Sequence, residues 1–153
     1  RIKLIVMGLF YMNKIEEIKV WLEIASKDYN TASFLRNMKP IPLEIICFHC
    51  QQSAEKDLKA YLIKNDIIVQ KTHNLELILK KCIEIDSSFK DIYKSCLRLT
   101  DYAVELRYPY RLEITNEIME LAIEDATLIK EFVNEKIFNK SCKNLLLVNL
   151  DKD

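Results

Sequence analysis

An all-α fold, an antiparallel up-and-down bundle of four long helices and one short one, is what this 153-residue sequence predicts. Three observations point there. Apolar residues recur at steps of three and four in five separate segments, the spacing that puts them on one helical face. One glycine and three prolines leave few residues for tight turns, against about 7% and 5% in an average chain. No segment alternates strictly enough for a strand, although Leu145 to Val148 forms a short apolar run near the end. A chain of this length is one domain and can bury a core without staples.

The first helix is expected from about Lys14 to Asn37, opened by Asn13 with Glu16 three residues on as a capping box, and with Ile18, Trp21, Leu22, Ala25, Tyr29 and Ala32 on its inner face. Pro40 and Pro42 break the chain before a second helix over about Leu43 to Asn65. A loop holding Ile67 to His73 leads to a short third helix over about Asn74 to Ile85. Asp86-Ser87-Ser88 is a turn and N-cap for the fourth, which runs to Arg107 with Ile92, Cys96, Leu99, Ala103 and Leu106 inward and stops at Pro109. Thr115 or Asn116 caps the fifth, which continues to about Asn139 with Ile118, Leu121, Ala122, Asp125, Leu128 and Phe132 as its face. Residues 1–11 are read as an N-terminal extension ahead of Met12-Asn13-Lys14, residues 12–139 as the bundle, and residues 140–153 as a weakly ordered tail.

Composition excludes several functions. Gly8 is the only glycine, so there is no P-loop and no dinucleotide fingerprint, both of which need several glycines to bring amides against a phosphate. With 23 basic and 23 acidic residues, no global field draws the protein to nucleic acid or membrane, and a nucleotide site has to be a local patch. The apolar run Ile2 to Tyr11 is too short to span a bilayer, which needs about 20 residues, and no small-residue cleavage site follows it. Of the five cysteines, Cys47, Cys50, Cys82 and Cys96 sit at apolar helical positions, as buried thiols do in a reducing cytoplasm. His49 lies about 200° around the helix from Cys47, so Cys47-Phe48-His49-Cys50 is not a metal site. Neither a metal nor a cofactor is implied.

The most informative stretch is His49-Cys50-Gln51-Gln52-Ser53-Ala54-Glu55-Lys56-Asp57-Leu58-Lys59-Ala60-Tyr61-Leu62. On a helix it sets Ala54, Leu58, Tyr61 and Leu62 along one side and His49, Gln52, Lys56 and Lys59 along another. It resembles the signature second helix of the HEPN family (higher eukaryotes and prokaryotes nucleotide-binding). Three further segments, in order, are similar to that family: Trp21 to Ala32, Lys71-Thr72-His73-Asn74-Leu75, and Thr100-Asp101-Tyr102 leading into Arg107-Tyr108-Pro109. Together they cover roughly Ile18 to Ile137. The resemblance implies a compact helical bundle, usually a dimer, in systems that handle nucleotides or RNA, often beside a minimal nucleotidyltransferase in a toxin–antitoxin or related two-component module. Many members are metal-independent ribonucleases that use an Arg followed after four to six residues by a His. Here no histidine follows Arg107 or Arg111, and the chain has only His49 and His73. It resembles the branch with Arg-Tyr-Pro in place of that pair, and no catalytic residue is assigned.

Each candidate has a plainer reading beside the functional one. Arg107 is a cation at a helix C-terminus, worth about 0.3–1 kcal/mol with the macrodipole, or a bidentate phosphate ligand held in place by Pro109. His49 with Gln52, Lys56 and Lys59 satisfies buried partners in the bundle, or binds a ligand. Gln51, Glu55 and Lys59 form ordinary i,i+4 pairs on a solvated face. His73 belongs to the start of the third helix, as capping and packing or as a chemical group beside Lys71 and Thr72. Asp101 and Glu105 share a face and read as solvated acids or salt-bridge partners, or as paired acids or a metal site that no further His or acid joins, and Tyr102, Tyr108 and Tyr110 as a dimer interface or base-stacking platform. The reading that follows is a cytoplasmic, homodimeric, non-catalytic HEPN-type protein. It binds a nucleotide or RNA phosphate, or docks a nucleotidyltransferase partner, through His49, Gln52, Lys56, Lys59, Arg107 and Tyr108, with His73, Asp101 and Tyr102 behind them. The alternatives are a divergent metal-independent ribonuclease using Arg107 and His49, and a purely structural dimeric interaction module.

Overall fold

The computed structural model describes residues 2–69, 71–104 and 113–138, with side chains for residues 13–69, 71–103 and 113–138. The expected five helices are present: α1 (Ile2–Leu35), α2 (Leu43–Lys64), α3 (Leu75–Ile85), α4 (Tyr93–Val104) and α5 (Asn116–Phe138), with a 3-10 helix at Ser87–Ile92 leading into α4. Two of the expected caps form as the residue types require. The Asn74 side chain accepts from the backbone N–H of Glu76 and Leu77, and Asp86 accepts from Ser88. Thr115 is the residue at the head of α5 whose hydroxyl accepts, from Ile118 N–H at 3.3 Å.

The capping box at Asn13 does not form, because α1 runs unbroken from Ile2 through that position. A cap is useful only where a helix starts. Nothing between Ile2 and Met12 stops one, since there is no proline and the single glycine costs only about 1 kcal/mol. At its other end α1 closes at Leu35, where the amides of Asn37 and Met38 bond back to Phe34 and Leu35.

Side-chain contacts give the helix directions. Along α1, Lys14 meets Asp66, Asp28 meets His49 and Lys56, and Arg36 meets Glu120, so α1 is antiparallel to both α2 and α5. The Lys64 ammonium donates to the carbonyls of Lys136 and Ile137, which puts the C-termini of α2 and α5 side by side, a favourable place for a cation. Lys136 also reaches Asp86, ahead of α4, so α4 runs antiparallel to α5. α2 and α5 therefore form a parallel central pair, with α1 and α4 packed against both.

α2 touches every other helix and buries Ile46, Cys50, Ala54, Leu58, Ala60 and Leu62. Phe89 is fully buried between Tyr61 and Phe132, at ring separations of 4.4 and 5.0 Å. On α5 the buried stripe is Met119, Ala122, Ile123, Ala126, Ile129, Val133 and Ile137. The sequence reading is rotated from it by part of a turn, since Leu121 and Leu128 are exposed. Both stripes are apolar at helical spacing, and packing against α2 selected one. Among the described residues no helix is long and apolar enough to cross a membrane.

Candidate functional site

The polar stripe of α2 is the core of one hydrogen-bonded network that crosses from α1 to the loop before α3. At one end Asp28 of α1 receives both His49 Nδ1, at 2.9 Å, and the Lys56 ammonium. Lys56 also donates to Gln52 Oε1 at 3.3 Å, and Gln52 Nε2 donates to Gln51 Oε1 at 2.7 Å. Gln51 Nε2 then donates to Glu55 at 3.2 Å and to the carbonyl of His73 at 3.0 Å. At the far end Glu55 accepts from Lys59 Nζ at 2.6 Å and pairs with His73 Nδ1 at 3.1 Å. Lys59 closes the network by donating to the carbonyl of Thr72 at 3.0 Å. Its ammonium also stands 5.7 Å from the centroid of the Trp21 ring, within cation–π range.

His49, Gln52, Lys56, Lys59 and His73 are thus brought together, and Asp28, Gln51 and Glu55 join them. The expectation of a solvated Gln51–Glu55–Lys59 face does not hold. The i,i+4 pairs form, but Gln51, Glu55 and Lys59 are buried at 0%, 3% and 5% exposure. An ion pair removed from water persists only where further hydrogen bonds satisfy both groups, as His73, Gln51 and Thr72 do here. Its value lies in locking the 72–73 backbone onto α2. The Asp28 end is shallower, with the His49 and Lys56 side chains about one-quarter and one-fifth exposed (25% and 18%).

Other predicted residues stand apart. Asp101 is exposed, and Tyr102 is half-buried against the core, its phenol pushed up to about 12 chiefly by burial. Arg107 and Tyr108, with Glu105, Pro109 and Tyr110, lie outside the described residues. Cys47, Cys50, Cys82 and Cys96 are buried free thiols, and burial pushes Cys47 and Cys96 up to about 12, away from the reactive thiolate. Among the described residues no group of His, Cys, Asp and Glu is placed to hold a metal.

Two features escaped the sequence reading. Arg98 of α4 makes a two-pronged bridge to the buried Asp125 of α5, at 2.7 and 2.5 Å, which explains an acid on an otherwise apolar face. Asp57 and Ser53, one turn apart on α2, are buried, and among the described residues neither carboxylate oxygen nor the hydroxyl has a hydrogen-bond partner. Burial pushes the Asp57 carboxyl up to about 7, with the Lys130 charge pulling the other way.

An open groove of ≈ 690 Å³ runs beside the Lys59 end of the network. It is lined by Lys14 and Trp21 of α1, Lys59 and Ile63 of α2, and the Ile67–Val69 strip with Lys71. The strip is aimed there by the end of α2. Asp66 takes a left-handed φ of 60°, Asp66 N–H bonds to Ile63 O and Ile67 N–H to Leu62 O, a Schellman closure built on Asp in place of Gly.

The HEPN domain family model matches residues 18–136. The crystal structure of an archaeal HEPN homologue is similar with a TM-score of 0.64 at 24% identity, over 78% of this chain and 97% of that one. A protein of Thermus thermophilus is similar with a TM-score of 0.65 at 23% identity, over the same shares. At that identity the two structures speak to the fold. No curated protein matches the chain.

Proposed function

The chain belongs to the HEPN domain family, and on that basis we propose that it is a non-catalytic, homodimeric member that docks a minimal nucleotidyltransferase partner in a two-component, toxin–antitoxin-like system. The observation that supports this reading is the inward commitment of the α2 stripe. His49, Lys56, Lys59 and His73 are all engaged by Asp28 and Glu55, so the stripe sets no concentrated basic field against a phosphate backbone. The surface of α4 and α5 is suited to a protein instead. Leu121 and Leu128 flank Asp125 on α5, and Leu97 neighbours Arg98 on α4, all three exposed around the Arg98–Asp125 bridge. Affinity purification of the tagged full chain from its native cell tests this. The expected result is a stoichiometric nucleotidyltransferase that is lost with Leu121→Asp and Leu128→Asp. A homodimer carrying bound RNA or nucleotide and no protein partner refutes docking and moves the function to direct ligand binding.

A second reading has its own observation. The Asp28–His49 hydrogen bond orients a partly exposed imidazole as a carboxylate orients a general base. With Arg107 to steady a phosphate, that pair would serve a divergent metal-independent ribonuclease. It predicts that His49→Ala and Arg107→Ala each abolish cleavage while the helical content is unchanged. No cleavage of varied RNAs by the parent protein removes this reading.

A further inference from the structure

We infer that the groove between α1 and the end of α2 is the docking site for an apolar segment of the same chain, Leu145-Leu146-Leu147-Val148, which follows α5. The groove is chiefly apolar and uncovered among the described residues: Ile68 on its lip is 86% exposed, and Ile67 beside it 36%. An isoleucine at that exposure is a poor match to water and a good one to an aliphatic partner.

Three facts favour this occupant. The first is where α5 ends. Lys64 holds the carbonyls of Lys136 and Ile137 at 2.9 and 2.7 Å, so the last turn of α5 is fixed at the C-terminal end of α2, the end whose Ile63 and following Asp66 line the groove. The second is reach. Six residues, Asn139 to Asn144, separate Phe138 from Leu145, and an extended chain covers roughly 23 Å in those seven steps. The third is composition. That spacer is polar throughout except for Cys142, and four consecutive aliphatic residues follow it, far short of the about 20 needed to enter a bilayer. A connector of that polarity leading to an aliphatic block matches a lining in which Trp21, Ile63 and Ile67 to Val69 stand next to the ion-paired Lys14 and Asp66.

Docking of this kind sets the tail in competition with any other apolar segment for the groove. It concerns this chain alone and stands whether or not a nucleotidyltransferase is the partner.

Trp21, which lines the groove, is the only tryptophan in the sequence, so its emission reports occupancy directly. The test compares the full chain with the full chain carrying Leu146→Asp and Leu147→Asp, by Trp emission and acrylamide quenching across a wide dilution series. The expected result is a red shift and faster quenching in the double variant, with parent emission independent of concentration. Ile68→Asp, at an exposed position outside the core, should reproduce both changes from the groove side. Unchanged emission in the tail variant overturns the proposal. Parent emission that shifts to the red on dilution also overturns it, since a second copy would then be the occupant.

Discussion

Replacing Asp57 by Asn is expected to stabilise this protein at neutral pH and to do almost nothing in acid. Asp57 is 1% exposed, and among the described residues neither carboxylate oxygen has a hydrogen-bond partner. Burial pushes its pKa from 3.8 to about 7, against the opposing pull of Lys130. For an acid raised in this way, the folded state holds a proton that the unfolded chain has released between those two values. Its contribution is therefore fully present below about pH 4, fades as pH rises, and is gone above about pH 7. A displacement of about three units at 1.36 kcal/mol each sets a ceiling of roughly 4 kcal/mol. Asn keeps the shape and cannot ionise. In urea unfolding followed by far-UV circular dichroism, the variant should match the parent near pH 4 and exceed it near pH 8 by roughly 2–4 kcal/mol, the lower figure applying if water reaches the site. The same difference between the two proteins at both pH values would refute the argument that Asp57 is a desolvated, titrating acid.

Removing one member of a buried ion pair strands the other. Lys59→Met should lower stability by roughly 3–5 kcal/mol, whereas a Lys59→Met, Glu55→Leu double variant should recover a good part of it, read in the same urea titrations. Arg98→Met strands the buried Asp125 and should cost roughly 3 kcal/mol, more than an ordinary change at a side chain that is 41% exposed. Leu58→Ala empties a fully buried position on the central helix and should cost roughly 2–5 kcal/mol, visible as a lowered thermal midpoint. Asp66→Gly relieves a left-handed residue and breaks only an exposed pair with Lys14, so differential scanning calorimetry should show a gain of up to about 1 kcal/mol.

The α2 stripe shows where sequence reasoning works and where it stops. Helical spacing alone put His49, Gln52, Lys56 and Lys59 along one flank, and they do form one connected system. Spacing could not say that Glu55 and Lys59 would be buried, because an i,i+4 acid–base pair has the same pattern on a solvated face as beneath a loop. Asp28 lies in the Trp21–Ala32 segment that resembled the family, yet its partnership with His49 and Lys56 spans 21 and 28 residues of sequence. Asp57 was invisible for a similar reason, as one more acid following Glu55 and Lys56 in a helix rich in charges.

What this sequence determines by itself is the number of helices, most of their ends and the family. Those depend on local chemistry: apolar periodicity, prolines at 40 and 42, and side-chain oxygens at Asn74, Asp86 and Thr115 that complete helix starts. The tertiary structure alone decided which of two apolar stripes of α5 faces the core and which charges meet in the interior. Each of those depends on pairing across helices, where free energy comes from surfaces distant in sequence being removed from water together.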